Sequence, residues 1–327
     1  MDLIEIFSIV LIAAASVATC QVVHPEGHAG IQEFPYLVHV DVEYNFPAQF
    51  RNERFYYGGG VIVNNKWIVT CAHNFAVKER GGEYYPPHAV TVLAGTKNTS
   101  DTTYAQEEIV NLDNVIVHGG WRNGETVTDI ALIFLGAEAL EFNERVQPAR
   151  LIAAGREIEI HSKCRIVGWG KYIGEGGEED QPEAARKGSV YVVESDNCER
   201  CINEGNKYEI FDRNHHICIG CKGCKGCSMV SPGDSGSPVV QLIGGFEVVV
   251  GLLSSGSDHG ITRECGKDKP GAAVKISAFR KWMRKKMRER EERYRGEVGR
   301  REQAQRNMAA AAVASVAAAY FVNRVFR

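Results

Sequence analysis

Short runs of apolar and β-branched residues, separated by turn residues, fill the chain from about residue 33 to residue 275. The stretch GVIVNNKWIVT contains two such runs around Asn64 and Asn65, which predicts a hairpin. Similar runs follow at roughly regular spacing: AVTVLAG, NVIVHG, IALIFL, CRIVGWG, SVYVVE, PVVQLIGGFEVVVGLLS and AAVKIS. Many short strands of this kind predict an all-β barrel or sandwich.

The pattern changes at Ser277, where β-branched residues almost disappear and Arg, Lys and Glu become dense. This predicts a helix that docks through Phe279 and Trp282 and then becomes solvated, with Gly296 and Gly299 interrupting it. Residues 308–322 carry no charge. As a helix they would extend about 22 Å, which is shorter than a hydrocarbon core of about 30 Å. Contact with a membrane surface and a solvated helical extension both remain open for this segment.

Composition and charge describe a globular body with a distinct tail. Of 327 residues, 44% are hydrophobic and 24% are charged, and the net charge is −3. Residues 280–327 contain fourteen Lys or Arg against five Glu, a balance of +9, so the remainder carries −12. Glu residues interrupt the basic run, and we therefore expect no nucleic-acid partner. Residues 1–20 include an apolar run followed by small residues, which predicts a secretory signal peptide. An uncleaved anchor or a buried element are the alternatives.

Ten cysteines favour an oxidising compartment. Eight of them are predicted to form a disulfide cluster: Cys164, Cys198, Cys201, Cys218, Cys221, Cys224, Cys227 and Cys265. A zinc site is the alternative, because Cys-x-x-Cys spacing suits tetrahedral coordination.

The stretch MVSPGDSGSPVV, which contains Ser235, has the composition of a tight turn. A nucleophilic serine needs a base, and the base needs a group that orients it. His73 directly follows an apolar run in VTCAHNF, and Asp129 begins another in VTDIALIFL. A histidine, an aspartate and a serine in this order, each at the end of a strand, form the constellation of a catalytic triad.

The motifs TCAH, DIAL and GDSGSP resemble those of the chymotrypsin/trypsin-like serine proteases. EFPYLVHV, CRIVGWG, GLLSSG and KPGAAVKISAFRKWM resemble further segments of the family, so the resemblance covers roughly residues 22–287. It implies an all-β fold of two six-stranded β-barrels with a C-terminal helical extension. The expected organisation is a signal peptide at residues 1–20, a protease domain at residues 22–288 and a charged helical tail at residues 289–327.

The resemblance also implies catalytic roles. Ser235 would attack the scissile carbonyl, His73 would act as the general base and then as the general acid, and Asp129 would orient the imidazole. The backbone N–H groups of Gly233 and Ser235 would form the oxyanion hole. Ser254 matches the family serine that supports the triad aspartate, and it lies in the segment GLLSSG that resembles the substrate-binding strand.

In the family, the residue six positions before the nucleophile forms the base of the specificity pocket, and here it is Met229. Methionine offers no partner for a cationic side chain. The pocket-wall positions match Gly256 and Gly271, which would leave the slot open, so a preference for large apolar side chains is expected. The alternative is that loop shifts move Met229 out of the pocket. Ser255 stands where the family usually has a tryptophan that walls the cleft.

Activation is where this sequence departs most from the family. A new N-terminal ammonium normally pairs with the aspartate before the nucleophile, here Asp234. The sequence CQVVHPEGHAG has no basic residue before Val22 or Val23, and no Gly-Gly follows. A start at either valine would have to come from signal peptidase or from another protease. A buried Asp234 without a cation would be costly.

The cysteine pattern departs from the family as well. The bridge next to the histidine is lost, because its two positions are Gly58 and Asn74, and Cys71 is expected to be a buried free thiol. Cys218 would pair with Cys198 or Cys201. The usual partner positions of Cys164 and Cys265 are Gln241 and Ser231, which cannot form disulfides.

Together these features predict a secreted serine endopeptidase that acts on protein or peptide substrates and needs no metal or cofactor. The alternative is a catalytically weak homologue that acts as a binding or regulatory protein.

Overall fold

A computed structural model describes twelve segments of the chain. They are residues 27–44, 55–75, 77–78, 84–85, 87–121, 127–137, 139–173, 179–180, 182–203, 210–220, 230–256 and 270–325. The predicted signal peptide, Val22, Val23 and Met229 lie outside these segments, as do Cys221, Cys224, Cys227 and Cys265.

Eighteen strands alternate with turns along the described chain. The first ten are β1 (Gly27–His28), β2 (Leu37–Tyr44), β3 (Phe55–Asn64), β4 (Trp67–Thr70), β5 (Val77–Lys78), β6 (Tyr84–Tyr85), β7 (Pro87–Ala94), β8 (Gln106–Val110), β9 (Val115–Val117) and β10 (Ala131–Phe134). The others are β11 (Lys163–Gly168), β12 (Tyr172–Ile173), β13 (Glu179–Asp180), β14 (Arg186–Val192), β15 (His216–Gly220), β16 (Pro238–Ile243), β17 (Phe246–Gly256) and β18 (Gly271–Lys275).

The strands form two large antiparallel sheets, one from each half of the sequence, except that the short N-terminal strand β1 pairs with β14 in the C-terminal sheet. The N-terminal sheet has the order β8-β7-β2-β3-β4-β10-β9 and is an open half-barrel over the described residues. The C-terminal sheet has the order β1-β14-β11-β16-β17-β18-β15, and a further pairing of β14 with β15 closes six strands into a barrel. Strands β5 and β6, and β12 and β13, form two small ribbons. The mostly β, two-barrel architecture that the resemblance implied is confirmed.

The predicted hairpin joins β3 and β4. Asn64 lies opposite Trp67, and the side-chain oxygen of Asn64 accepts a hydrogen bond from the Lys66 N–H at 2.9 Å. Strand β4 is buried at every position, which agrees with its uninterrupted apolar run. Buried side chains from both sheets form one contiguous hydrophobic core.

Two α-helices complete the described fold, α1 (Ser195–Asn203) and α2 (Ile276–Val325). Short 3₁₀ helices lie at Ala72–Phe75 and Leu112–Asn114. Helix α2 runs through Gly296 and Gly299, so the predicted interruption there is wrong. Each glycine costs about 1 kcal/mol relative to alanine in a helix. The surrounding Arg, Glu, Gln and Ala residues are strong helix formers, and α2 therefore continues. The described helices include none long and apolar enough to cross a bilayer.

The first half of α2 packs on the protein body and extends onto the N-terminal sheet. Phe279 and Met283 are buried in the core. Further along, the Arg290 guanidinium lies 5.1 Å from the centre of the Phe134 ring, and the Trp67 indole N–H donates to Glu291 at 2.7 Å. From residue 299 onward every residue of α2 whose burial is described is exposed. The helix therefore joins the two sheets with its first half and projects with its second.

Replacing Glu291 with Ala is expected to lower the free energy of unfolding by about 1–2 kcal/mol, because the buried Trp67 N–H loses its acceptor. Glu302→Ala is the matched control. It removes an exposed i,i+4 pair with Arg306 and is expected to change the unfolding free energy by less than about 0.5 kcal/mol. Urea unfolding of both variants measures the difference. Equal effects would show that the Glu291 contact does not anchor the helix.

The cysteines correct part of the predicted cluster. Cys198 in α1 and Cys218 in β15 form a disulfide, which confirms their pairing, and Cys201 is also disulfide-bonded. Cys164 is a buried free thiol and does not belong to the cluster. Its position in β11 lies opposite Gln241, which has no thiol to offer. Because Cys198 and Cys218 are oxidised to each other, neither can be a thiolate ligand of the alternative zinc site.

Candidate active site

The pairing of β4 with β10 brings the first two predicted site residues together. Ala131 of β10 lies opposite Thr70 of β4. Asp129 lies two residues before the start of β10, and His73 lies in the 3₁₀ helix just after β4. Ser235 lies in the turn that leads into β16, a strand of the C-terminal sheet. The three side chains therefore meet between the two sheets.

A continuous chain of hydrogen bonds joins these three side chains. The Nδ1 atom of His73 lies 2.6 Å from Asp129 Oδ2, and its Nε2 atom lies 2.7 Å from the Ser235 hydroxyl oxygen. With the Nδ1 proton facing the carboxylate, Nε2 is left as an acceptor for the hydroxyl proton. This arrangement can deprotonate Ser235 as its oxygen attacks an electrophile.

Asp129 is fully buried, and its carboxylate accepts three hydrogen bonds. Oδ1 accepts from the His73 backbone N–H at 2.8 Å, and Oδ2 accepts from His73 Nδ1 and from the Ser254 hydroxyl, both at 2.6 Å. Burial alone would raise the pKa of Asp129, but the charge and hydrogen bonds of His73, with the Ser254 hydrogen bond, hold it below its usual value. The carboxylate therefore stays ionised beside the imidazole.

The backbone before Ser235 forms a turn that contains Gly233. Gly233 has a φ of 98°, and a Cβ there would lie 2.5 Å from the Tyr57 ring, so only glycine fits. Within the described segments, neither the Gly233 N–H nor the Ser235 N–H donates to another protein group. Both donors are therefore available to an oxygen placed beside Ser235.

Asp234 is buried directly behind this turn. Its Oδ1 accepts from the Gly170 N–H at 2.8 Å and its Oδ2 accepts from the Ser231 N–H at 3.1 Å. Burial raises the pKa of Asp234 to about 6, although the two backbone hydrogen bonds oppose this rise. Among the described residues no cation contacts this carboxylate. The N-terminal residues predicted to supply one lie outside the described segments.

Two of the predicted pocket residues are neighbours across β17 and β18. Gly256 lies opposite Gly271. A Cβ on Gly271 would lie 2.9 Å from a methyl group of Val230, so the Val230 side chain occupies the space beside this glycine. Val230 could not be singled out from the sequence, because nothing in its local pattern distinguishes it from any other apolar residue. Ser255 is buried, and its hydroxyl has no hydrogen-bond partner among the described residues.

Two further residues near the site were not assigned roles from the sequence. Cys71 is a fully buried free thiol that donates to the Leu253 carbonyl at 3.1 Å. Asn74 follows His73 and contacts the backbone of Ser235. Potential ligand atoms of Cys71, His73 and Asp129 lie within 4.8 Å of one another. Burial raises the pKa of Cys71 well above its usual value, and the charge of Asp129 raises it further. A neutral thiol beside a carboxylate already bound to His73 is a poor metal site.

Two facing β-sheets with a His–Asp–Ser hydrogen-bond chain between them define the class of chymotrypsin-fold serine proteases. The family model described as Trypsin matches residues 28–283. The chain belongs to the trypsin family.

Relatives in sequence and in structure agree with this assignment. The chain is 28% identical over 244 residues to a trypsin of Phaedon cochleariae, covering 74% of this chain and 83% of that protein. It is 26% identical over 237 residues to tissue-type plasminogen activator of Sus scrofa, covering 69% of this chain but 38% of that longer protein.

Two solved structures cover 80% of this chain and 99% of their own. Neuropsin, a serine protease expressed in the limbic system of mouse brain, has a TM-score of 0.59 and 26% identity. GrC has a TM-score of 0.61 and 21% identity, which supports the fold alone.

Proposed function

We propose that the protein is a serine endopeptidase that hydrolyses peptide bonds through His73, Asp129 and Ser235. The observation that carries the proposal is the unbroken hydrogen-bond chain from Asp129 through His73 to Ser235. His73 takes the hydroxyl proton while the Ser235 oxygen attacks the scissile carbonyl, and it then gives that proton to the leaving amine. A water molecule then attacks the acyl group bound to Ser235. His73 takes the proton of that water and gives it to the Ser235 oxygen, which releases the acid product. Ionised Asp129 stabilises the imidazolium that forms in each step.

The N–H groups of Gly233 and Ser235 stabilise the tetrahedral intermediate in this proposal. Its negative oxygen would lie beside Ser235, where the two donors have no other acceptor among the described residues. The positive φ of Gly233 supports this role, because it orients the peptide group of that turn.

Large apolar side chains are the proposed preference. Gly256 and Gly271 lie side by side and contribute no side chains, while Val230 adds an apolar surface next to Gly271. Met229 is the proposed base of the pocket. An apolar slot of this composition offers no partner for a charged side chain. A library of peptides that vary at the residue before the cleaved bond measures the preference.

The experiment that tests the activity is labelling of the purified, processed protein with a fluorophosphonate probe, which reacts only with an activated serine. We expect the wild type to be labelled and Ser235→Ala to remain unlabelled. Thermal unfolding of both proteins shows whether each is folded. The proposal would be refuted if the folded, correctly processed wild type were not labelled by the probe.

Asp234 favours a second candidate, a catalytically weak homologue that acts as a binding protein. The buried carboxylate has two backbone donors but no cation among the described residues, which is a costly state when it is ionised. Mass spectrometry of the mature N-terminus separates the two candidates. A start at Val22 or Val23 supports the protease, because its ammonium could pair with Asp234. A longer N-terminus supports the homologue.

Protein or peptide substrates are the partners that the family implies. Secretion is part of the proposal and is supported by the disulfide between Cys198 and Cys218, since such bonds persist in oxidising compartments. The two predictions for residues 308–322 stay predictions. Co-sedimentation with anionic lipid vesicles distinguishes membrane contact from a solvated helix.

A further inference from the structure

We propose that Asn74 is a positioning residue that couples the turn bearing His73 to the loop bearing Ser235. Asn74 directly follows His73 and is 8% exposed. Its side-chain amide donates to the Ser235 carbonyl at 3.2 Å and to the Thr70 hydroxyl at 3.1 Å. One side chain thus connects the segments that carry the proposed base and the proposed nucleophile. The inference rests on the proposed function and adds a residue to it.

The contacts of Asn74 form a closed ring of four hydrogen bonds. The Ser235 carbonyl accepts from Asn74 and also from the Gly59 N–H at 2.8 Å. The Thr70 hydroxyl accepts from Asn74 and donates to the Gly59 carbonyl at 2.7 Å. Because Thr70 uses its only proton on Gly59, it must be an acceptor for Asn74, which fixes the orientation of the amide.

Two features hold this ring in place. The Tyr44 hydroxyl donates to the Asn74 backbone carbonyl at 2.6 Å, so both the main chain and the side chain of Asn74 are anchored. Gly58 provides the space, since a Cβ there would lie 2.7 Å from the Asn74 amide nitrogen and 2.5 Å from the Ser235 carbonyl oxygen. The amide therefore fits only beside a residue without a side chain.

Hydrogen bonds to the Ser235 carbonyl directly determine the position of the proposed nucleophile. Both of its lone-pair sites are occupied, which fixes the backbone that carries the Ser235 N–H and hydroxyl. The hydroxyl must stay within reach of His73 Nε2, now 2.7 Å away. Small misplacements of reacting groups cost up to about a hundredfold in rate. We therefore expect Asn74 to affect the chemical step more than substrate binding.

The test compares Asn74→Asp with Asn64→Asp. Asn74→Asp keeps the shape but removes both amide donors and places an oxygen against the Ser235 carbonyl. Asn64 ends β3 at the hairpin turn, away from His73, and an aspartate there can still accept from the Lys66 N–H. We expect Asn74→Asp to lower kcat and the fluorophosphonate labelling rate about tenfold or more, with KM changed less than about threefold. Asn64→Asp should match the wild type.

Rates are expressed per labelled site, so that loss of folded protein is not mistaken for loss of positioning. Wild-type values of kcat and labelling rate in Asn74→Asp would overturn the inference, as would a change confined to KM. If Asn74→Asp does not fold, Thr70→Val carries the test. It removes one anchor of the amide and should slow labelling by a few-fold, and an unchanged rate would overturn the inference. A wild type that is not labelled refutes the proposed function itself, which is a separate result.

Discussion

Replacing Asp129 with Asn is expected to lower kcat by about 10⁴-fold while leaving the protein folded. Asp129 accepts three hydrogen bonds, two from His73 and one from Ser254. An asparagine of the same shape can turn its amide nitrogen towards His73, which then faces a donor and places its own proton on Nε2. That tautomer cannot accept the Ser235 proton, and the neutral amide no longer stabilises an imidazolium.

Ser254→Ala serves as the comparison for this prediction. It removes one hydrogen bond from the carboxylate but keeps the negative charge and the His73 tautomer. Its expected loss in kcat is about tenfold to a hundredfold, which corresponds to the roughly 1.5–3 kcal/mol typical of a hydrogen bond to a charged group. Peptide hydrolysis at saturating substrate measures both variants. An Asp129→Asn protein that retained more than a tenth of wild-type kcat would show that the carboxylate does not support His73.

Replacing Asp234 with Asn is expected to remove a pH-dependent loss of stability. The folded-state pKa of Asp234 is about 6, above the value of about 4 expected in the unfolded chain. The folded state thus binds the proton more tightly. The contribution of Asp234 to stability is therefore highest at low pH, falls as pH rises from about 4 through 6, and ends about 3 kcal/mol lower. About 2 kcal/mol of that loss develops between pH 4 and pH 8.

The measurement is urea unfolding of wild type and Asp234→Asn at pH 4 and pH 8. In protein whose N-terminus is not Val22 or Val23, the variant should gain about 2 kcal/mol on the wild type between the two pH values. Asparagine hydrogen-bonds differently with Gly170 and Ser231, but this difference in unfolding free energy is the same at both pH values. It therefore cancels when the change between pH 4 and pH 8 is compared. In protein that begins at Val22 or Val23, an ammonium paired with Asp234 should remove the gain. The same gain in both forms would argue against that pairing.

Local sequence patterns predicted the parts of this fold that depend on near neighbours. The β3–β4 hairpin follows from apolar runs on either side of Asn64 and Asn65, and its turn is stabilised within three residues. The predicted interruption of α2 was wrong, because the helix-destabilising effect of Gly296 and Gly299 is outweighed by the long runs of helix-forming residues on either side.

The geometry of the candidate site could not be predicted from local patterns, because it depends on contacts between segments that are distant in the sequence. His73 and Asp129 meet because Thr70 pairs with Ala131, a register that neither segment reveals alone. The family resemblance, not the local pattern, placed them together in advance. Cys164 was assigned to the cluster from cysteine count, whereas pairing requires a second thiol within reach, and its neighbour is Gln241. The resemblance marked Asn74 and Gly58 only as the two positions of a lost disulfide, and no local pattern gave Asn74 a role, because a polar residue in a turn is ordinary until its acceptors are known.

Helix α2 also gives the molecule a rigid spacer. Its second half, residues 299–325, extends about 40 Å at 1.5 Å per residue. The half that precedes it is fixed on both sheets through Phe279, Met283 and Glu291. A tag, fluorophore or solid support attached to the last turn is therefore held roughly a domain's diameter from the body. The protein can be immobilised or carried on a larger assembly through this spacer while the cleft between the sheets stays open to other chains.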